Sequence, residues 1–179
     1  VIAAGAADIA SAVADDDFYQ HVFEIWRGSK LMSEYEAKLS WSLGAGELAF
    51  GKYSTNHRMT FSGGLSATLT AAPEYGGDSR YVNPEQALAA ALSSCHMMTF
   101  IALAAKARWK LRKYQDRAVA LLGKTDDGRT RVSEIVLHPV TEFEPGHEIE
   151  PGKLSEMHER AHRYCFVANA ISCEMRVEL

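Results

Sequence analysis

The chain has 179 residues, and 19 Lys plus Arg against 23 Asp plus Glu give a formal net charge of -4. That length suits one domain whose core is large enough to fold without a staple, and the slightly acidic balance argues against nucleic acid as a partner. Three cysteines are too few, and odd in number, for a secreted disulfide scaffold; an intracellular chain tolerates them.

Seven alanines fall among the first fourteen residues, with Asp8 inside the run and Asp15, Asp16 and Asp17 behind it. A secretory signal wants basic residues first and a richer apolar stretch after them. The segment reads instead as a weak helix or frayed arm, and residues 1–35 are expected to form an extension ahead of a domain over residues 36–179. Within that domain, residues 36–42 alternate as a half-buried strand does. Residues 47–53 suggest a second strand and residues 58–61 a third, which stops at Gly63-Gly64. Residues 66–70 alternate again, so the first third predicts short antiparallel strands joined by glycine turns, followed by a loop over residues 73–78.

The sharpest local signal comes next. Asn83 caps, Pro84 suits a first turn and Gln86 stands where a capping-box partner belongs, predicting a helix to about Leu111. Lys106, Arg108 and Lys110 load its C-terminal end, where positive charge meets the helix dipole favourably. Residues 87–105 carry no Asp, Glu, Lys or Arg, which is long enough to test as a membrane span. Ser93, Ser94, His96 and Thr99 in the middle argue for a soluble protein, where such a helix is covered by sheet or by a partner subunit.

Further on, residues 117–122 and 131–137 read as strands around an Asp127-Gly128 turn, and Pro139 marks an edge or a strand end. Loops follow at Pro145-Gly146 and Pro151-Gly152. A second helix is expected over residues 155–170, with Leu154, Met157, Ala161, Cys165 and Ala168 on its inner side. Cys173, Met175, Val177 and Leu179 then alternate as a closing strand. The sum is an α+β domain with two main helices and antiparallel sheet.

Three constellations carry possible chemistry. Cys95 lies on the uncharged helix with Leu88, Ala91, Leu92, Met98, Thr99 and Ala102 on its face, and Cys165 sits on the second helix. Buried cysteines are most often plain hydrophobes. Two such thiols, each central in an apolar face, also suit an attacking and a resolving thiol if the helices cross; Cys173 most simply belongs to the core. The run His158-Glu159-Arg160-Ala161-His162 matches the zinc-peptidase pattern, but the residues after it supply no convincing third ligand. The basic residues Lys106, Arg108, Lys110, Arg112, Lys113 and Arg117 cross a helix end and a strand start, so a solvated surface is the better reading. No nucleotide-binding glycine motif is present.

The stretch from Asn83 to Met97, NPEQALAAALSSCHM, resembles the signature of the OsmC/Ohr family of thiol-dependent hydroperoxide reductases. Residues 161–169, AHRYCFVAN, resemble its second-cysteine region, and Tyr53-Ser54 with His57, the run from Ala72 to Asp78 and Tyr114-Gln115-Asp116 agree with it. The resemblance covers roughly residues 36–179. It implies an intertwined homodimer with two central helices enclosed by curved antiparallel sheets, cytoplasmic, with no cofactor or metal. It also implies reduction of organic or inorganic hydroperoxides: Cys95 attacks, Cys165 resolves, and an external dithiol (a lipoyl group or small thiol) regenerates the pair. Glu85 matches the family's acidic residue ten positions before the attacking cysteine. Related sequences carry an arginine where this chain has Thr55. Arg58 is therefore the candidate activating arginine, with Arg27 and Arg80 as rivals. Met97, Met98, Phe100 and Trp109 near the helix favour an organic hydroperoxide. The alternatives are a non-enzymatic binder of a small apolar ligand on the same fold and, further off, a zinc hydrolase using His158, Glu159 and His162.

Overall fold

The computed structural model describes residues 34–45 and 47–179; the expected alanine-rich arm falls outside them, apart from its last two positions. Strands β1 (Ala37–Ser40), β2 (His57–Phe61) and β3 (Ser66–Leu69) form an antiparallel sheet in the order β1-β2-β3. Residues 47–53, expected as a strand, instead turn at Phe50-Gly51, where Gly51 takes a left-handed φ of 73°. The three strands make their substantial contacts only with one another. Leu39, Trp41, Phe61 and Leu65 are left exposed.

Helix α1 (Pro84–Lys106) starts as the sequence predicts. The Asn83 side chain accepts from the Gln86 amide at 2.8 Å, and the Gln86 side chain accepts from the Asn83 amide at 3.1 Å. These two bonds satisfy groups that a helix start otherwise leaves orphaned. The helix ends about one turn earlier than expected. Arg108 adopts a φ of 58°, and the Trp109 amide reaches back to the Ala104 carbonyl at 2.9 Å. That turn frees residues from Lys110 onward for β4 (Leu111–Asp116), a strand that the basic run conceals in the sequence. Arg112 pairs with Glu144 at 2.6 Å and Lys113 with Glu142 at 2.8 Å, so part of the basic run lies along a strand and is met by acids of the neighbouring chain segment.

β4 pairs antiparallel with β7 (Pro139–Phe143), whose proline stands at the strand's first position. β5 (Val119–Lys124) and β6 (Thr130–Leu137) form a hairpin, and β8 (Glu174–Val177) adds to β6. β8 runs parallel to β6, so that sheet, ordered β5-β6-β8, is mixed where antiparallel pairing alone was expected. Helix α2 (Pro151–Tyr164) begins and ends earlier than the sequence suggests. The Glu150 carboxylate accepts from the Gly152 and Lys153 amides at 2.9 and 3.1 Å, and Pro151 fills the first turn. Cys165 then leaves the helix with extended backbone (ψ 118°), which places it on the cap and not within the helix.

The core has two parts, both built on α1. Ala89 and Leu92 pack with Ile135 and Leu137 of β6 and with Cys165. Phe100, Leu103 and Ala104 pack with Met157 and Ala161 of α2. The buried residues of α1 recur at the three- and four-residue spacing of one helix face, while Met98 and Ile101 on the opposite side are exposed. By length and composition α1 alone, among the described residues, would cross a membrane. Here it packs on α2, β4, β5 and β6.

Candidate functional site

Cys95 stands in the fourth turn of α1, three residues after the buried Leu92, and both Cys95 and Leu88 pack against the first core cluster. Cys165 belongs to that cluster and is wholly buried. The α1–α2 contact thus brings together two thiols 70 positions apart, close enough for Cys95 to act on the Cys165 thiol. Burial pushes the Cys165 thiol up to about 11, and the neighbouring Cys95 adds to that by favouring the protonated form. Backbone amides oppose the shift: the turn after α2 folds over the sulfur, so that the Ala168 amide lies 3.4 Å from Sγ. Cys95 and Cys173 are half-buried, and all three thiols are free.

Glu85 lies in the first turn of α1, and its Oε2 is buried without a hydrogen-bond partner. No cation among the described residues pairs with it. It lines a groove of about 730 Å³ with Gln86, Ser93, Met97, Tyr114 and Asp116, between α1 and the strands β4 and β5. Asp116 holds the groove wall together, accepting from the Ser93 hydroxyl at 2.5 Å and from the His138 amide at 2.8 Å. Cys95 does not line this groove, because it projects about 100° around the helix from Ser94.

The arginine candidates separate clearly. Arg58 is exposed on β2, opposite Ser40 and Thr68, and makes no ion pair among the described residues. Arg80 is engaged by Asp78 through bonds of 3.0 and 2.6 Å and lies over the Tyr81 ring. Arg27 is outside the described residues. Thr55 is a structural tie: its hydroxyl is 3.0 Å from the Thr70 hydroxyl and accepts from the Ala71 amide at 3.3 Å. No arginine bonds to Cys95 within the described chain.

Of the residues read as a substrate-sized apolar wall, only Met97 lines the groove. Met98 is exposed, and Phe100 and Trp109 pack against each other in the second core cluster.

The zinc reading fails on geometry. His158 turns into the α1–α2 interface, where its Nδ1 lies 3.0 Å from His96 Nε2. Glu159 and His162 are exposed, and no group of three candidate ligands occurs among the described residues. The His96–His158 pair is a feature that sequence reasoning missed. The rings are nearly coplanar (5° apart), and the His158 ring stacks on Phe100 at 4.3 Å. Burial pulls His96 down to about 4 and His158 to about 3, so both are neutral. The outer nitrogens, His96 Nδ1 and His158 Nε2, have no partner, and the neighbouring Tyr114 hydroxyl is likewise unpartnered. Burial raises the Tyr114 phenol well above its usual range. No local sequence signal marks this pair, because its contact depends on how α1 and α2 are rotated about their axes.

Comparison with known proteins follows the same geometry. The family model for OsmC-like protein matches residues 76–179. An OsmC-like protein of unknown function from Vibrio cholerae is 38% identical, with a TM-score of 0.77 over 82% of this chain and 99% of its own. The organic hydroperoxide resistance protein OsmC from Legionella pneumophila superposes with a TM-score of 0.64 at 19% identity, over 84% and 100% of the two chains. The organic hydroperoxide resistance protein OhrB of Bacillus subtilis does so with 0.59 at 17%, over 82% and 98%. These two likenesses concern the fold. No curated protein sequence matches this chain. The family match and the close Vibrio structure, together with the two-helix fold that sets one thiol of each helix region against the other, establish that the chain belongs to the OsmC-like family.

Proposed function

We propose that the protein is a thiol peroxidase that reduces organic hydroperoxides in the cytoplasm, with Cys95 as the attacking thiol and Cys165 as the resolving one. The observation that carries this reading is the approach of Cys95 and Cys165 at the helix contact, where Cys95 packs against the core cluster that contains Cys165 and acts on its thiol. Nothing in ordinary packing requires two reducible sulfurs to meet there. The names of the Legionella and Bacillus structures support the same direction.

The chemistry balances as follows. The Cys95 thiolate attacks the distal oxygen of a hydroperoxide; the O–O bond breaks, alkoxide leaves and takes a proton as alcohol, and Cys95 becomes a sulfenic acid. Cys165 attacks that sulfur, forming the disulfide and releasing water. An external dithiol, a lipoyl group or a small thiol, restores both thiols by exchange. Half-buried Cys95 meets the peroxide, while Cys165, closed to solvent and held protonated by burial, waits for the sulfenic acid.

The working unit is an intertwined homodimer. Exposed Met98 and Ile101 on α1, and Leu39, Trp41, Phe61 and Leu65 on or beside the first sheet, form the apolar surface that a second copy would cover. The same partner brings a guanidinium to Cys95, and Arg58 is the candidate. Such a contact lowers the thiol pKa and orients the peroxide.

A groove of about 730 Å³ beside α1, with no arginine on Cys95 among the described residues, favours a second reading, a non-enzymatic binder that uses that groove. Intact-mass analysis after one equivalent of cumene hydroperoxide separates the two. The peroxidase loses two hydrogens, about 2 Da, and peptide mapping links Cys95 to Cys165. An unchanged mass with a folded protein removes the peroxidase.

A further inference from the structure

Cys165 stands at an awkward place for a thiol that must ionise. It caps the C-terminus of α2, where the last carbonyls carry the negative end of the helix dipole, and it is wholly buried. Both conditions oppose a thiolate. Yet the proposed cycle calls for one twice: when Cys165 attacks the sulfenic acid, and when a reductant attacking the more open Cys95 expels Cys165.

The turn that follows offsets both. The Ala168 amide lies 3.4 Å from the Cys165 Sγ, and the Val167 amide also favours the thiolate. Val167 and Ala168 pack against the core cluster that contains Cys165, so the turn folds inward over the sulfur. One exposed side chain ties it there. The Asn169 side-chain amide donates to the Arg163 carbonyl and to the Cys165 carbonyl, each at 2.9 Å, and the Asn169 backbone amide donates to the same Cys165 carbonyl at 3.0 Å. Asn169 thereby joins the end of α2 to the far side of the turn. The donors it sets on those two carbonyls also oppose the negative helix end beside the sulfur. An alanine there would leave the turn tied by backbone bonds alone.

We infer that Asn169 is a positioning residue for the disulfide half of the cycle: it pins the 165–169 turn so that backbone amides face the Cys165 sulfur whenever that sulfur carries negative charge. The inference deepens the peroxidase reading and rests on it for its purpose. On regeneration, a thiolate of the external dithiol attacks Cys95. The bond from Cys95 to the dithiol forms as the Cys95–Cys165 bond breaks, and Cys165 leaves as thiolate against the Ala168 amide before taking a proton from water. The second thiol of the dithiol then expels Cys95 and closes to the dithiol's own disulfide. The protein gains the two electrons that the dithiol loses, and Asn169 acts only through the turn.

Asn169→Ala is expected to leave the first step, cumene hydroperoxide consumption by Cys95, unchanged and to slow disulfide formation. A thiolate fraction about tenfold smaller at pH 7.5, offset by an about threefold gain in nucleophilicity of the more basic sulfur, slows formation about threefold. Quenched-flow mass analysis after one equivalent of peroxide reads both steps. Asn169→Asp keeps the shape at this exposed position but sets a carboxylate against carbonyls, and should slow formation more than alanine does. In a Cys165→Ser background, where Cys95 alone turns over with dithiothreitol, Asn169→Ala should have no effect; a structural role alone would lower turnover there as well. Reduction by dithiothreitol of a Cys95–Cys165 disulfide made with diamide should slow in both Asn169 variants. That last measurement uses no peroxide, so a Cys95 that ignores peroxide defeats the peroxidase reading and leaves the turn still tested. Unchanged reduction of the diamide-made disulfide in folded variants overturns the role of Asn169, and so does an equal loss of turnover in the Cys165→Ser background.

Discussion

The neutral His96–His158 pair makes stability depend on pH in a way that can be worked out. In the unfolded chain each imidazole titrates near 6.5, whereas burial holds them near 4 and 3 in the native protein. As pH falls through 6.5 the unfolded state takes up protons that the native state refuses, so stability is lost on acidification, down to the native values. The groups facing the pair do not reverse that sign. Asp116 of β4 raises His96, but burial outweighs it, and His162 of α2 acts with burial. Between pH 7.5 and pH 5 each histidine costs about 2 kcal/mol, about 4 kcal/mol for the pair. At a urea slope of about 2 kcal/mol/M the unfolding midpoint drops by about 2 M. Urea titrations at both pH values and one protein concentration measure this directly. His158→Leu, which leaves one buried imidazole, should show about half the loss, and the His96→Leu/His158→Leu double variant nearly none. Equal pH dependence in all three proteins would refute the account, whatever their absolute stabilities.

Other substitutions test separate parts of the structure. Cys165→Ser should leave Cys95 sulfenic acid trappable by dimedone after one equivalent of cumene hydroperoxide, and failure to trap any adduct in the folded variant contradicts the resolving role. Asn83→Ala removes the accepting half of the capping box and should cost about 1 kcal/mol in urea unfolding at pH 7.5. Gly77→Ala should be far worse. A Cβ there would sit 1.6 Å from the Ala71 carbonyl oxygen, a contact that only backbone movement relieves. A soluble variant with unchanged melting temperature would show that the loop before α1 is not held as described.

The elements with strong local chemistry were legible in the sequence. The Asn83–Gln86 box fixed the start of α1, and the 173–178 alternation found β8. What failed was set by chain geometry that composition does not carry. The left-handed Arg108 ended α1 early and released β4, whose Arg112 and Lys113 read as a continuation of the basic helix end until Glu144 and Glu142 are placed against them. Cys165 was expected inside a helix because its neighbours keep a helical apolar spacing. The chain leaves the helix there because the cap amide of Cys165 bonds to the His162 carbonyl and the turn folds over the sulfur. The parallel pairing of β8 is long-range and has no local signature. At the site, the two thiols were visible as a spacing, whereas the His96–His158 pair depends on the rotation of two helices about their axes, which one sequence does not specify.

In the proposed peroxidase, activation of Cys95 is the step in which a second copy matters most. The first sheet makes its substantial contacts within itself, Arg58 lies exposed upon it, and Glu85 offers a buried carboxylate oxygen without a partner. If one copy's sheet covers the other's α1, Arg58 serves the partner's thiol and not its own. Arg58→Ala and Cys95→Ser homodimers should then each lack peroxidase activity, while a refolded equal mixture regains it. Random assembly makes half the dimers mixed, and each mixed dimer joins an intact Cys95 from one copy to an intact Arg58 from the other at one of its two sites. That is about one quarter of the sites in the unsubstituted protein. Recovery at that level, measured as cumene hydroperoxide consumption with dithiothreitol, places the arginine across the interface. An inactive mixture, with subunit exchange verified by native mass spectrometry, restricts any role of Arg58 to its own chain; full activity of Arg58→Ala alone removes it from the chemistry altogether.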